Sequence, residues 1–323
     1  MNKWIAFSLL ACSFAFAKGP EPDDVNKPKP PPQEGPWLTG PLIAPSGHTV
    51  PLGHVNYEPY VYGSTVSGAY NPKWHYERAN HKFTNVLIQP TFQIGVATAT
   101  EFDIAPQFAW SNSNGQAEWE WNDLPITLAF QILNDKPGAW WPAIKLRFAA
   151  NVPFGQYQRL SPHKNGTDAG GSGNWAPAAG LVFSRLFHFT GTHFLAVRYW
   201  ISYTFSTPVH IRDISVYNST TGSRGTVYPG NVFQTDLGLE YTLSQNWALA
   251  LDVYYQHNNK RRFSGHSAGA PIKGPSREQI SLAPAFEYNW SSNVGIIFGP
   301  WFTVAGRNSA QFVQWVGAIN VYH

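Results

Sequence analysis

From Val50 onward the chain is built of segments of about ten to fifteen residues in which apolar and polar side chains alternate, with turn-forming stretches between them. Strand side chains point to opposite faces with a period of two, so each segment predicts a strand with one greasy and one polar face. The clearest places Leu124, Ile126, Leu128, Phe130 and Ile132 on one face and Asp123, Thr127, Ala129 and Gln131 on the other. The next sets Ile144, Leu146, Phe148, Ala150 and Val152 against Lys145, Arg147 and Asn151. Another sets Leu195, Val197, Tyr199, Ile201, Tyr203 and Phe205 against Arg198, Trp200, Ser202 and Thr204. Segments Phe233 to Tyr241, Trp247 to Tyr255 and Ile280 to Trp290 repeat the pattern, with Gln234, Asp236, Glu240, Asp252, Gln256, Gln279 and Glu287 on their polar faces. Further strands are predicted near residues 51 to 62, 83 to 94, 101 to 111, 175 to 188, 294 to 304 and 311 to 322, about twelve in all.

A soluble sandwich rarely buries cations such as Lys145 and Arg147, whereas a membrane barrel turns its apolar face to lipid and its polar face to a wet lumen. The links support the barrel. Short ones near residues 95 to 100, 133 to 139, 189 to 192, 244 to 246 and 291 to 293 alternate with longer ones near 63 to 81, 112 to 121, 154 to 174, 206 to 229 and 257 to 277, and a last short one runs from Gly306 to Ser309. Transmembrane barrels have short periplasmic turns and longer outer loops. Prolines at 59, 90, 106, 284 and 300 oppose the reading, because each removes a ladder donor. A soluble sandwich or propeller is the alternative, but it accounts for neither the loop rhythm nor the many aromatics expected outside.

Composition sharpens the picture. Charged residues make up 13% of the 323-residue chain and aromatics 15%, with a mean hydropathy of -0.27. Alternation reconciles a lipid-compatible face with a polar average, and no apolar run after residue 17 is long enough for a membrane helix. A net charge of +3 without a basic recognition stripe argues against nucleic-acid binding.

Residues 1–17 read as a signal peptide cleaved after Ala17, directing a mature chain to the bacterial outer membrane; Leu9-Leu10-Ala11-Cys12 leaves a lipoprotein site as the alternative. Cys12 is the chain's one cysteine, so no thiol chemistry is expected in the mature protein. Residues 18–47 form a Pro-rich periplasmic segment or a plug within the lumen, and residues 48–323 the barrel.

Chemistry is sparse. Glu58, Asp103, Asp236, Glu240, Asp252 and Glu287, with Lys145, Arg147 and Arg198, are assigned to the lumen, as a paired network or a selectivity lining. Trp110, Trp140, Trp141, Trp247, Trp290 and Trp301 sit near strand ends, where indoles anchor a barrel at the lipid interface. Outer loops carry Arg159, Lys164, Arg212, Lys260, Arg261 and Arg262 among an excess of cations, suited to the phosphates of lipopolysaccharide or to solvent alone. Gly265-His266-Ser267-Ala268-Gly269 matches a nucleophile elbow, but the flanking Lys260-Arg261-Arg262 and Pro271 to Pro275 do not suit the strand and helix an elbow needs. His188 and His193 lack a ligand spacing, and Gly170-Gly171-Ser172-Gly173 lacks the lysine of a phosphate loop. No catalytic, cofactor-binding or metal-binding residue and no cofactor is assigned.

Residues 37 to 62, WLTGPLIAPSGHTVPLGHVNYEPYVY, resemble the opening of the outer-membrane transporter family encoded with meta-cleavage pathways of phenol degradation, through Gly40-Pro41-Leu42, Pro45-Ser46, Pro51, Gly53 and Glu58-Pro59-Tyr60. The resemblance implies a barrel that admits hydrophobic or aromatic compounds. The terminal Val321-Tyr322-His323 departs from the aromatic last residue common in outer-membrane barrels, so the barrel assembly machinery would have to read Tyr322. The expected function is passive uptake of a small apolar permeant. The rivals are an outer-membrane hydrolase acting on lipid or peptide, and a surface protein binding lipopolysaccharide or other polyanions.

Overall fold

The alternating segments form strands whose backbone groups pair only with neighbouring strands, as the computed structural model shows for residues 35–136, 140–269 and 271–323. The signal peptide, the lipoprotein alternative at Cys12 and the Pro-rich stretch up to residue 34 lie outside the described residues. Residues Pro36–His323 form one unit.

In chain order the strands are β1 (Val55–Tyr70), β2 (Tyr76–Ala97), β3 (Thr100–Ile104), β4 (Phe108–Ser113), β5 (Gln116–Trp121), β6 (Leu124–Leu133), β7 (Ala143–Val152), β8 (Ala176–Thr190), β9 (His193–Thr204), β10 (Val209–Arg212), β11 (Arg224–Tyr228), β12 (Val232–Thr242), β13 (Trp247–Asn258), β14 (Arg262–His266), β15 (Arg277–Asn289), β16 (Val294–Arg307) and β17 (Ala310–Tyr322). All wall pairings are antiparallel, and β1 bonds both β17 and β2, which closes the ring. Closure leaves no free edge, the condition for strands to cross a bilayer. β3 and β4 are two halves of one stave broken around Pro106, and β5 and β6 two halves of another broken at Asn122-Asp123, because β2 pairs with both β3 and β4. The wall is a closed antiparallel barrel of 12 strands.

The strands run further outward than the alternation predicts. The stretch 63 to 81, expected as an outer loop, continues β1 and β2 to a turn at residues 71 to 75, so that Arg78 lies in a strand. The stretch 112 to 121 is likewise β4 and β5 around Asn114-Gly115, both at positive φ (50° and 81°), the backbone of a tight hairpin turn. Beyond the lipid nothing demands an apolar face, so Gly63 to Tyr70 and Tyr76 to Arg78 pair without the pattern, across an irregularity that leaves residues 79 to 82 out of the register. Two of the long loops, those between β9 and β12 and between β13 and β15, fold together, as β10, β11 and β14 form a separate three-stranded sheet.

Burial follows parity. On β13, Ala248, Ala250, Asp252 and Tyr254 are buried while Trp247, Leu249 and Val253 are exposed. Outward aromatics are strongly exposed, with Phe286 at 64% and Trp290 at 55%, a surface that water would not support but lipid does. Pro59 lies opposite Pro90, and the β15–β16 ladder lapses between Leu282↔Phe302 and Phe286↔Phe298, the interval holding Pro284 and Pro300. The missing donors therefore coincide across strands instead of breaking the wall at separate places.

Candidate functional site: the barrel lumen

The inward face at the short-turn end is acidic, and a stretch of non-strand chain lies against it. Leu38 to Val50 contains Pro41 and Pro45 and has no alternation, so its amides seek partners outside any ladder. They find inward side chains. Thr39 N–H donates to Glu287 (2.8 Å), Ile43 and Ala44 N–H to the two oxygens of Asp252 (3.2 and 3.1 Å), Thr49 N–H to Gln131 (2.8 Å) and Val50 N–H to Glu101 (2.7 Å). Leu42 is buried with Ala250, Ala283, Ala285, Ile297, Val316 and Ala318 from the wall, and Ile43, Tyr60, Tyr62 and Trp301 pack around them. Glycines allow the approach: a Cβ on Gly238 would stand 2.7 Å from the Ala44 Cβ, and one on Gly95 1.9 Å from the Pro51 carbonyl oxygen.

Charges pair within this layer. Lys145 Nζ lies 3.1 Å from Glu101 and donates to the His48 carbonyl, also at 3.1 Å. Arg147 reaches Asp103 at 3.4 Å, and Arg198 reaches Glu240 at 2.9 Å. Glu58 accepts bonds from Asn56 (3.0 Å), Asn320 (2.8 Å) and the Tyr60 hydroxyl (3.3 Å). Neither carboxylate oxygen of buried Asp236 has a hydrogen-bond partner. Glu101 is absent from the residues the sequence assigns to the lumen, although its parity matches Asp103 and Lys145. It stands at the first position of the third predicted strand, where alternation has barely begun.

Above the charged layer the lumen turns aromatic. Tyr60 stacks on Tyr62 at 5.6 Å, and Trp301 meets Tyr254 edge-on at 5.8 Å while its indole N–H donates to Ser281. Trp301, placed near a strand end but inward by its parity, faces the lumen, because β16 turns residues 299, 301 and 303 inward and Phe298 outward. Trp140, Trp247 and Trp290 are exposed. A cavity of about 370 Å³ lies between the inserted segment and the wall, lined by Glu58, Tyr60, Tyr62, Gln89, Arg147 and Arg198 among others. That volume is within the range of small-molecule pockets.

One carboxylate gathers the ends of the loop between β7 and β8. Asp123, at the break between β5 and β6, accepts from Phe154 and Gly155 N–H (3.1 Å each) and from Ser172 N–H and Oγ (2.8 and 2.6 Å). Gly170 and Gly171 donate to the Gln156 carbonyl, so the glycine run serves loop docking. Val209, Ile211, Tyr217, Val227 and Ile272 form a second small core there, and burial pushes the Tyr217 hydroxyl up to about 12. Arg159 and Arg212 are exposed, Lys164 pairs with Glu118 (2.9 Å), and Arg261 donates to the Ile272 carbonyl (2.6 Å). The G-x-S-x-G run begins at the end of β14, so a strand does precede it, but residues 267 to 276 form no helix among those described. His188 and His193 bond backbone carbonyls of Gly191 and Thr242.

No protein-family model matches the sequence, and no curated protein matches it either. Among solved structures, the chain is similar to an outer membrane channel from Pseudomonas putida F1, at 12% identity over 86% of this chain and 98% of that one, with a TM-score of 0.67. Looser matches include the β-domain of the Bordetella autotransporter BrkA (10% identity, 83% and 98% covered, TM-score 0.46) and the CymD monoaromatic hydrocarbon channel (10% identity, 84% and 88% covered, TM-score 0.39). The first of these likenesses establishes the fold, a barrel of the bacterial outer-membrane kind.

Proposed function

We propose that the protein is an outer-membrane channel for passive uptake of small hydrophobic or aromatic compounds, with residues 37 to 50 acting as a plug at its inner end. The observation that carries the proposal is the make-up of the lumen: the stacked pair Tyr60 and Tyr62 lines one cavity together with Glu58, Arg147 and Arg198 of the charged layer. Aromatic walls give an apolar solute a surface to slide along, and the polar layer hydrates the exit. The resemblance of residues 37 to 62 to transporters of phenol-degrading bacteria and the likeness to an outer membrane channel support the same reading. On this reading Glu58, Asp103, Lys145, Arg147, Arg198, Asp236, Glu240, Asp252 and Glu287 line the lumen, and no covalent chemistry or cofactor is involved. The basic outer loops face lipopolysaccharide, and the assembly machinery inserts the barrel.

The test is uptake of a radiolabelled monoaromatic hydrocarbon by cells that carry the barrel, against cells that lack it, with a sugar of similar size as comparison. Faster hydrocarbon accumulation with unchanged sugar uptake supports the proposal. Equal rates with and without the barrel would overturn it.

A further inference from the structure

Where β13 runs out towards the three-stranded sheet lie two adjoining cavities of about 660 and 610 Å³ that share Lys260, Arg262, Gly274 and Pro275. The first is also lined by Tyr228, His257 and Asn259, the second by Arg261 and Lys273. No Asp or Glu lines either one. The Arg262 guanidinium lies over the Tyr228 ring at 5.6 Å, which fixes its plane. Elsewhere on this side cations are matched by acids, as in Lys164–Glu118 and Arg307–Glu278. Lys260, Arg262 and Lys273 have no acidic partner among the described residues.

The height of this groove on the wall identifies its occupant. Outward side chains of β12 and β13 end in Phe233 and Tyr255, 6.4 Å apart, beside Tyr203 and Phe205 at 4.9 Å, an aromatic girdle of the kind that marks a lipid boundary. His257 is the next outward position on β13, about 7 Å further along the strand, and Lys260 follows three residues on, just past the strand's end. A cationic groove one step above the acyl chains stands where headgroup phosphates lie. We propose that it binds the phosphorylated disaccharide head of the outer-leaflet glycolipid, with Arg262 and Lys260 on one phosphate, Lys273 at the far side, and the acyl chains along the girdle. Planar guanidinium and ammonium groups together suit a phosphate, and the Asn259 amide N–H offers a further donor to a sugar hydroxyl, while both ring nitrogens of His257 are engaged by Glu278 and Asn259.

The inference rests on the outward orientation of these loops but not on the permeant. Its test is native mass spectrometry of the folded full-length barrel in detergent with diphosphoryl lipid A, monophosphoryl lipid A and inorganic phosphate as separate probes. Diphosphoryl lipid A should bind at one per barrel, and Lys260→Gln/Arg262→Gln should weaken it about tenfold or more. Lys73→Gln/Arg78→Gln, exposed and outside the groove, should leave it unchanged. Equal loss in both variants, or none in the first, would overturn the site. Binding of inorganic phosphate as tightly as lipid A would make it a free-anion site and overturn the lipid assignment. Heat modifiability on a gel verifies that each variant is folded. Labelling of Ser264→Cys by an impermeant thiol reagent in intact cells should succeed; its failure would invert the barrel and defeat this inference while leaving the channel reading standing.

Discussion

Lys145 and Glu101 face each other at 3.1 Å with each side chain 1% exposed, and they do so across an intervening strand, since β6 pairs with both β7 and β3. A buried pair of this kind contributes little beyond an apolar substitute, but removing one partner strands the other. Lys145→Met should therefore destabilise the barrel by about 3–5 kcal/mol, and Glu101→Leu in the same chain should recover most of that loss. Urea unfolding in detergent, followed by tryptophan fluorescence, measures both. Equal stability of the single variant and the parent would contradict the pairing.

Asp252 and Glu287 hold the inserted segment by three backbone amides. Each charged hydrogen bond contributes about 1.5–3 kcal/mol, so Asp252→Ala/Glu287→Ala should raise the population of the displaced segment by more than tenfold. Single-channel conductance in planar bilayers should show larger or more frequent openings, and removal of residues 37 to 50 should give the larger state continuously. Unchanged conductance in both proteins would rule out a plug.

Asp123 collects four hydrogen bonds from the loop between β7 and β8. Asp123→Ala should loosen that loop while leaving the wall intact, so trypsin should cut at Arg159 or Lys164 at least tenfold faster, with no change in heat modifiability. A parent-like cleavage rate would mean that the second small core, not Asp123, holds the loop.

Orientation is tested by exposed positions. Cysteines at His163 and Thr220 should react with an impermeant thiol reagent in intact cells, and one at Ser292 should react only after the outer membrane is opened. Ser219, which its place in a long loop also recommends, is buried at 5% exposure and bonded to Ser215, so it makes a poor probe. Labelling at Ser292 alone would mean an inverted barrel.

The lipid-facing wall was legible because lipid imposes a period of two on Leu237, Leu239 and Tyr241 or on Leu146 and Phe148, and nothing else in the chain needs that period. Where lipid ends, the signal weakens: Gly63 to Val66 are paired on both sides yet show no apolar face, whereas Trp119 and Trp121 keep one on β5. The lumen was half legible. Parity puts Lys145 and Asp252 on the inner face, yet it does not tell which amides of a proline-containing segment reach Asp252, since those bonds span 208 and 209 residues. Trp301 was legible both ways, its place near a strand end suggesting an anchor and its parity placing it inward, and parity decides. Prolines counted one by one looked like evidence against a sheet, and only the register shows Pro59 facing Pro90.

The seating of Thr39 to Val50 also orders events in time. Its partners lie 51 residues downstream at Glu101, 208 and 209 at Asp252, and 248 at Glu287. The stretch leads the barrel strands in the chain, but its resting place does not exist until β15 has joined the wall. Contacts of such long range form late. Docking of this stretch is therefore a final step of assembly, and a barrel halted before β15 would be left with it hanging free, an assembly intermediate that proteases could recognise and clear.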